Sequence, residues 1–311
     1  MTGLSLAREY FFTHGRDMLE SKFPEYRDRI ACGLAGEGSE CLGFDDEVSR
    51  DHDFGAGFCM WLTDDDFNHI GEDLRAAYDE LPASFGGCEK RNPVSFGEWR
   101  LSAQRTGDFY RKYTSLSRAP ETTEEWRRIP EHFLAAAVSG EVFVDQLGEF
   151  SAIRKKLLEF YPEDVRLKKI TARVAVAAQA GQYNFPRCLK HGENAAALLA
   201  LAEFIRAVCS AVYLLNYRYM PYYKWARRGL KTLPCLPELY DLVEKLAEPG
   251  ELSGRQSLIQ TLIEEICALI LNELKSRQLT GGNSDFLLDH CGEIMSHIKD
   301  EKIRAMHIMA E

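Results

Sequence analysis

Apolar and polar positions divide the chain into a first part with short strands and helices and a second part with helices alone. In the first part, apolar residues at helical spacing predict a helix over 4–23 and a second helix over 64–81. Thr63 and the three aspartates after it are typical of a capped helix start. Three strands are predicted, over 29–34, 54–62 and 94–104.

After about residue 108 strands nearly vanish and helical periodicity takes over. The helices predicted by this periodicity cover 122–138, 150–161, 163–179, 193–219, 236–246, 255–274 and 285–310. The sixth of them carries one continuous apolar stripe, as a helix packed in a bundle does. We therefore predict an α+β chain with a small mixed-sheet α/β core in residues 1–115 and an all-helical bundle domain in residues 116–311.

The polar stretch from Gly36 to Asp53 carries the candidate chemistry. Gly38 and Ser39 form a small turn, and eleven residues later Asp51 and Asp53 alternate at the start of the second predicted strand. Because residues i and i+2 of a strand share a face, both carboxylates would point into one pocket. Two converging carboxylates suit Mg²⁺ or Mn²⁺, while the glycine lets the backbone approach a phosphate and the serine adds a hydroxyl donor.

Length, charge and cysteine content narrow the class of protein. The 311 residues have room for about two domains, and the formal net charge of −10 does not attract polyanions, so nucleic acid is not an expected partner. No apolar run approaches the ~20 residues that span a bilayer, and no secretory signal is evident. Nine cysteines without a Cys-x-x-Cys pair indicate reduced core residues. We expect a cytoplasmic protein without a membrane partner, and its oligomeric state is left open.

The Gly-Ser turn followed by Asp51-His52-Asp53 resembles the signature of the nucleotidyltransferase superfamily, which has a polymerase-beta-like core. The order of sheet and then bundle is similar to that of aminoglycoside and lincosamide nucleotidyltransferases. More closely, the chain resembles a family of bacterial proteins known as DUF4037. The segments that carry this closer resemblance are residues 38–46, 49–54, 140–145 and 218–225.

This resemblance implies a metal-dependent transfer of an NMP, AMP from ATP, to a hydroxyl or phosphate of a small-molecule acceptor. It assigns Asp51 and Asp53 to the metal and to catalysis, and Gly38 and Ser39 to the triphosphate. Arg50 could also reach a phosphate.

Many superfamily members place a third carboxylate on a neighbouring strand, and Glu98 lies on the third predicted strand. If Glu98 faces away, the general base is one of the metal-binding carboxylates or one of Asp108, Asp145 and Glu149.

In the helical half, Tyr222 and Lys224 are the candidate ligand-binding residues. A lysine binds phosphate as a point charge, and a tyrosine stacks on a base or hydrogen-bonds it. The expected active site lies between the sheet and the bundle, with Lys224 reaching the phosphates from the far side.

Each candidate also has a purely structural interpretation. The two aspartates would be a solvated strand start, Ser39 a helix cap, Arg50 a surface charge, and the Tyr222–Lys224 segment an interfacial aromatic cluster. Two other functions stay open: a nucleotidyltransferase acting on a protein or on tRNA, and a catalytically silent module that binds a nucleotide or a partner.

Overall fold

The computed structural model describes residues 1–48, 54–90, 101–252 and 254–311. It divides into two compact units, the first formed by residues 1–120 and 133–159 and the second by residues 121–132 and 160–311. Residues 133–159, which follow the predicted domain boundary at 115–116, thus belong to the unit that contains the sheet. The predicted fold class is confirmed: a small mixed sheet comes first and the C-terminal region is helical.

The described elements are as follows. The strands are β1 (Ala31–Ala35), β2 (Cys59–Leu62), β3 (Ser84–Phe85), β4 (Cys88–Glu89), β5 (Ser102–Arg105) and β6 (Gly140–Val144). The helices are α1 (Gly3–Tyr10), α2 (Arg16–Lys22), α3 (Ser39–Leu42), α4 (Asp64–Asp79), α5 (Thr106–Thr114), α6 (Thr123–Arg128), α7 (Glu131–Val138), α8 (Glu149–Leu158), α9 (Glu163–Ala177), α10 (Phe185–Lys190), α11 (Asn194–Leu215), α12 (Tyr223–Leu230), α13 (Leu239–Ala247), α14 (Gln256–Ser276), α15 (Cys291–Ser296) and α16 (Glu301–Arg304). Short π-helical turns join α1 to α2 and α9 to α10.

The main sheet of the first unit is mixed and has the strand order β5-β2-β1-β6. β1 pairs antiparallel with both β2 and β6, whereas β2 pairs in parallel with β5. A parallel pair needs a crossover connection, and α4 lies within the segment that connects β2 to β5. β3 and β4 form a separate hairpin around Gly86 and Gly87.

Both faces of the sheet are buried, which explains why β2 is apolar throughout instead of alternating. Successive side chains of a strand point to opposite faces. Met60 and Leu62 join the core with residues of α1, α2 and α4. Between them, Trp61 stacks on Phe150 of α8 with ring centroids 3.9 Å apart and planes 19° apart.

The second unit is helical among its described residues, and α11 is its most apolar helix. Within the part of the chain that the structure describes, α11 is the one helix long and apolar enough to cross a membrane, with a mean hydropathy of 1.9 over its most apolar window. However, 61% of that window is buried inside the protein. A core helix passes the same test of length and composition, so this burial is consistent with a soluble protein.

Several predicted elements differ from the observed ones. The second strand covers only Cys59–Leu62, and the third begins at Ser102, while residues 91–100 lie outside the described residues. Gly140, which follows the predicted helix over 122–138, opens β6, because this segment finds its hydrogen-bond partner in the distant β1. The predicted helix over 285–310 is wrong, since α15 and α16 are short and separate.

Candidate functional site

The turn between β1 and α3 requires glycine at two positions. Gly36 has φ of +110°, and Gly38 has φ of +116° with ψ of 154°. Other residues rarely adopt this region, because their Cβ atom collides with the backbone. A Cβ atom at Gly36 would also lie 2.6 Å from the hydroxyl of Tyr113 on α5. The chain can therefore turn sharply from β1 into α3 only because both residues are glycine.

Ser39 is the first residue of α3 and is 8% exposed, but the N-cap position is Gly38, so Ser39 is not the helix cap that its structural interpretation expected. The helix is a single turn that ends at Gly43, whose φ of +71° is left-handed. The backbone N–H of Phe44 donates to the carbonyl of Ser39 over 2.8 Å. Asp45, next in the chain, accepts from the N–H of Gly3 at the start of α1 over 2.7 Å. These bonds fix the path of the chain on both sides of α3.

Four strands of the main sheet have an end beside this turn. β1 ends there, and the register pairs Ala35 with Gly140, so β6 begins at the same edge. Gly33 pairs with Cys59 and Cys59 with Ser102, so β2 and β5 also begin at this edge. The end of one strand and the starts of three others therefore meet beside the Gly-Ser turn.

Ser102, the first residue of β5, is strained. Its φ is +84°, it is 3% exposed, and its backbone N–H donates to the carbonyl of Phe58 over 3.1 Å. No hydrogen-bond partner reaches its hydroxyl among the described residues. Positive φ at a residue other than glycine is costly and clusters at functional sites. Sequence analysis missed Ser102, because nothing in an alternating strand pattern marks an unusual backbone conformation.

The predicted metal-binding and catalytic carboxylates, and Arg50, fall in segments that the structure does not describe. Arg50, Asp51, Asp53 and Glu98 all lie outside the described residues. Within the described ranges, no group of three or more His, Cys, Asp or Glu side chains is arranged to hold a metal ion. The assignment of Mg²⁺ to the two aspartates therefore stays a prediction from the sequence.

Two alternative general bases lie at the opposite edge of the sheet. β6 ends at Val144, which pairs with Cys32 at the start of β1, so Asp145 and Glu149 follow the edge away from the Gly-Ser turn. Asp145 accepts hydrogen bonds from the backbone N–H groups of Gly148 and Ser151 over 2.8 and 2.7 Å, which makes it a cap of α8. Partial burial raises the pKa of Glu149, and a hydrogen bond from Thr106 opposes that rise. Both residues therefore lie at the ends of the strands away from the Gly-Ser turn.

The third alternative, Asp108 in α5, is an exposed residue that pairs with Arg111 one helical turn later. An exposed ion pair of this kind contributes little and is typical of a solvated helix face.

Tyr222 and Lys224 belong to the second unit, at and just inside the start of α12. Tyr222 is 50% exposed, and its ring centroid lies 4.5 Å from that of Tyr223 and 6.0 Å from that of His132. Lys224 is exposed, with Nζ 5.1 Å from the centre of the Trp225 ring. The two residues form an accessible aromatic and cationic surface, while Gly38 and Ser39 belong to the first unit.

The middle of the chain matches a known protein family. Residues 126–226 match the family described as "Domain of unknown function (DUF4037)". The predicted resemblance to DUF4037 is thereby confirmed over about a third of the chain. Of the segments that suggested it, 140–145 and 218–225 lie inside the DUF4037 match, and 38–46 and 49–54 precede it.

Other comparisons add little to the DUF4037 match. No curated protein matches the chain. Among solved structures, it is similar to a nucleotidyltransferase-like protein from Exiguobacterium sibiricum 255-15, at 13% identity and a TM-score of 0.36. That similarity covers 94% of this chain and 81% of the other. At this TM-score we draw nothing further from it.

Proposed function

We propose that the protein is a Mg²⁺-dependent nucleotidyltransferase of the cytoplasm that transfers an NMP, AMP from ATP, to a hydroxyl or phosphate of a small-molecule acceptor. One observation carries this proposal: β1 runs into a turn built on two obligatory glycines, at the sheet edge where β2 and β5 begin. In the sequence, Asp51 and Asp53 come directly before the segment that leads into β2. Glu98 comes shortly before β5.

Each of these residues would have a different role in nucleotidyl transfer. The turn at Gly36 and Gly38 presents backbone without side chains, so that a phosphate can approach its N–H groups closely. Ser39 would add a hydroxyl donor to the triphosphate. A magnesium ion held by Asp51 and Asp53 would neutralise the charge that develops on the phosphates. Glu98 would accept the proton of the acceptor hydroxyl, and Arg50, Tyr222 and Lys224 would contact the nucleotide.

Calorimetric binding of ATP, GTP, CTP and UTP, with and without Mg²⁺, tests the proposal. We expect metal-dependent binding of one nucleotide to the wild type and at least a tenfold weaker affinity in Asp51→Asn and in Asp53→Asn. Asp65→Asn is the matched control, because Asp65 is an exposed acid in the first turn of α4, after the other end of β2. Its affinity should stay that of the wild type. Absence of nucleotide binding to the wild type, or full binding in both site variants, would refute the proposed site.

A second measurement separates transfer from binding alone. With the bound nucleotide identified, release of pyrophosphate is followed while small hydroxyl and phosphate compounds are supplied as acceptors. Acceptor-dependent release supports the proposed transfer. Nucleotide binding without consumption under every acceptor supports the silent module instead, and release that requires tRNA or a protein supports the other alternative.

A further inference from the structure

The second unit contains a buried cluster of charged and hydroxyl groups that the proposed function does not use. Lys169 and Arg173 lie four residues apart on α9, so their side chains share one face of the helix. Lys169 is 2% exposed. The guanidinium of Arg173 contacts both carboxylate oxygens of Glu311, over 2.8 and 2.9 Å, and Lys169 Nζ lies 3.6 Å from the same carboxylate. Two cationic groups thus converge on one oxyanion.

Two further polar atoms of this cluster lack a hydrogen-bond partner within the part of the chain that the structure describes. Tyr161 and Glu131 are each 5% exposed. Among the described residues, nothing hydrogen-bonds to the hydroxyl of Tyr161 or to Oε1 of Glu131. Leaving a buried polar atom unpaired is costly, so in native proteins such an atom usually contacts an ordered water, an ion or a ligand.

Distances place these two groups beside the cationic pair. Lys169 Nζ lies 5.3 Å from the centre of the Tyr161 ring. Oε2 of Glu131 accepts from the hydroxyl of Ser210 over 2.5 Å and lies 3.8 Å from a guanidinium nitrogen of Arg173. Arg173 also donates through Nε to Ser210 over 2.9 Å. The Tyr161 ring and the Glu131 carboxylate therefore belong to the same cluster as the carboxylate of Glu311.

The segment that supplies Glu311 is anchored close to the cluster. Lys168, fully buried, donates from Nζ to the backbone carbonyls of His307 and Ile308 over 3.0 and 2.8 Å. Glu311 follows three residues after Ile308, so its carboxylate is held at a high effective concentration beside Arg173. Its side chain is 26% exposed, so it borders solvent, whereas Lys169 is buried and the Arg173 side chain is 14% exposed.

We propose that Lys169, Arg173 and Tyr161 form a binding site for the phosphate group of a ligand, and that the Glu311 carboxylate occupies this site as an intramolecular competitor. The planar guanidinium binds carboxylate and phosphate in the same two-pronged way, so one can replace the other. Tyr161 supplies a further donor. Glu131 Oε1 accepts hydrogen bonds, so it could accept one from the hydroxyl of hydrogen phosphate while the neighbouring groups donate to the other phosphate oxygens. The site is argued from the second unit alone and does not depend on nucleotidyl transfer.

Titration calorimetry with inorganic phosphate tests the site in the full chain. Glu311→Gln removes the competing charge and keeps the shape of the side chain. Because a hydrogen bond to a charged group is worth about tenfold or more in affinity, we expect Glu311→Gln to bind phosphate about tenfold more tightly than the wild type does. The control is Glu301→Gln, which removes one negative charge from an 89% exposed side chain nearby in the sequence and should leave the affinity unchanged. Equal phosphate affinity in the wild type and Glu311→Gln would overturn the proposal.

Two further changes in the Glu311→Gln background identify the binding groups. Arg173→Gln and Tyr161→Phe should each weaken phosphate binding at least threefold, and phosphate affinity that survives both changes would overturn the site. Circular dichroism checks that each variant is folded. If Arg173→Gln does not fold, the result for Tyr161→Phe decides, since that change removes only a hydroxyl to which no described residue hydrogen-bonds. Acetate should bind more weakly than phosphate, and equal affinities would overturn the assignment to phosphate.

Discussion

Replacement of Gly36 by alanine is a direct test of how the turn after β1 is built. The backbone at Gly36 has φ of +110°, which a residue with a Cβ atom adopts at a cost of about 1–3 kcal/mol. The added Cβ atom would also lie 2.6 Å from the hydroxyl of Tyr113, and relieving such an overlap in a packed interior costs about 1–3 kcal/mol more. We therefore expect Gly36→Ala to lower the free energy of unfolding of the first unit by about 2–6 kcal/mol.

Urea unfolding followed by tryptophan fluorescence measures this change. Gly87→Ala is the matched control, because Gly87 also has a positive φ, +78°, but no atom lies within 4 Å of its added Cβ. Gly87→Ala should cost only the backbone strain of a left-handed residue, about 1–2 kcal/mol. Tyr113→Phe in the Gly36→Ala background removes the hydroxyl that the new methyl group meets, and the double-mutant cycle should recover about 1 kcal/mol or more.

Two results would contradict this explanation of the turn. If Gly36→Ala lowers the free energy of unfolding by no more than Gly87→Ala does, the contact with the Tyr113 hydroxyl does not destabilise the variant. If the cycle gives no coupling between positions 36 and 113, the destabilisation comes from backbone strain alone, and α5 does not constrain the turn.

Two more predictions concern stability. Phe150→Ala removes a fully buried ring that stacks on Trp61 and should lower the free energy of unfolding by about 3–5 kcal/mol. The control Leu147→Ala, at a 44% exposed side chain, should change the free energy of unfolding by less than about 1 kcal/mol. Thermal unfolding compares the two variants, and similar values would contradict the packing argument. Burial raises the pKa of the Cys209 and Cys291 thiols to about 12. From about pH 9 to pH 12 the unfolded chain therefore loses protons that the folded chain keeps, so the free energy of unfolding should fall as the pH rises. Cys209→Ala should reduce this fall by about 1 kcal/mol per pH unit in urea unfolding under reducing conditions, and an unchanged slope would contradict the assignment.

The sequence determined the features that depend on neighbouring residues. Thr63 caps α4 by accepting from the N–H of Asp66, and Thr122 forms a capping box with Glu125. The apolar stripe predicted within 255–274 is the buried face of α14. The Gly-Ser turn also lies where the pattern predicted it, between the first strand and the next. Caps, helical spacing and glycine turns are local, so a few adjacent residues specify them.

Only the tertiary structure decided what depends on residues far apart in the chain. Val142, Phe143 and Val144 favour a strand, but Gly140–Val144 becomes β6 only because β1, more than a hundred residues earlier, offers its backbone hydrogen bonds. Ser102 takes its strained conformation where β5 joins β2. Lys169 and Arg173 look like ordinary helix-surface charges in the sequence, yet Lys169 is buried and both contact Glu311, which lies 138 residues after Arg173. Periodicity along the chain shows which face of a helix is polar, but only the packed chain shows which charge that face meets.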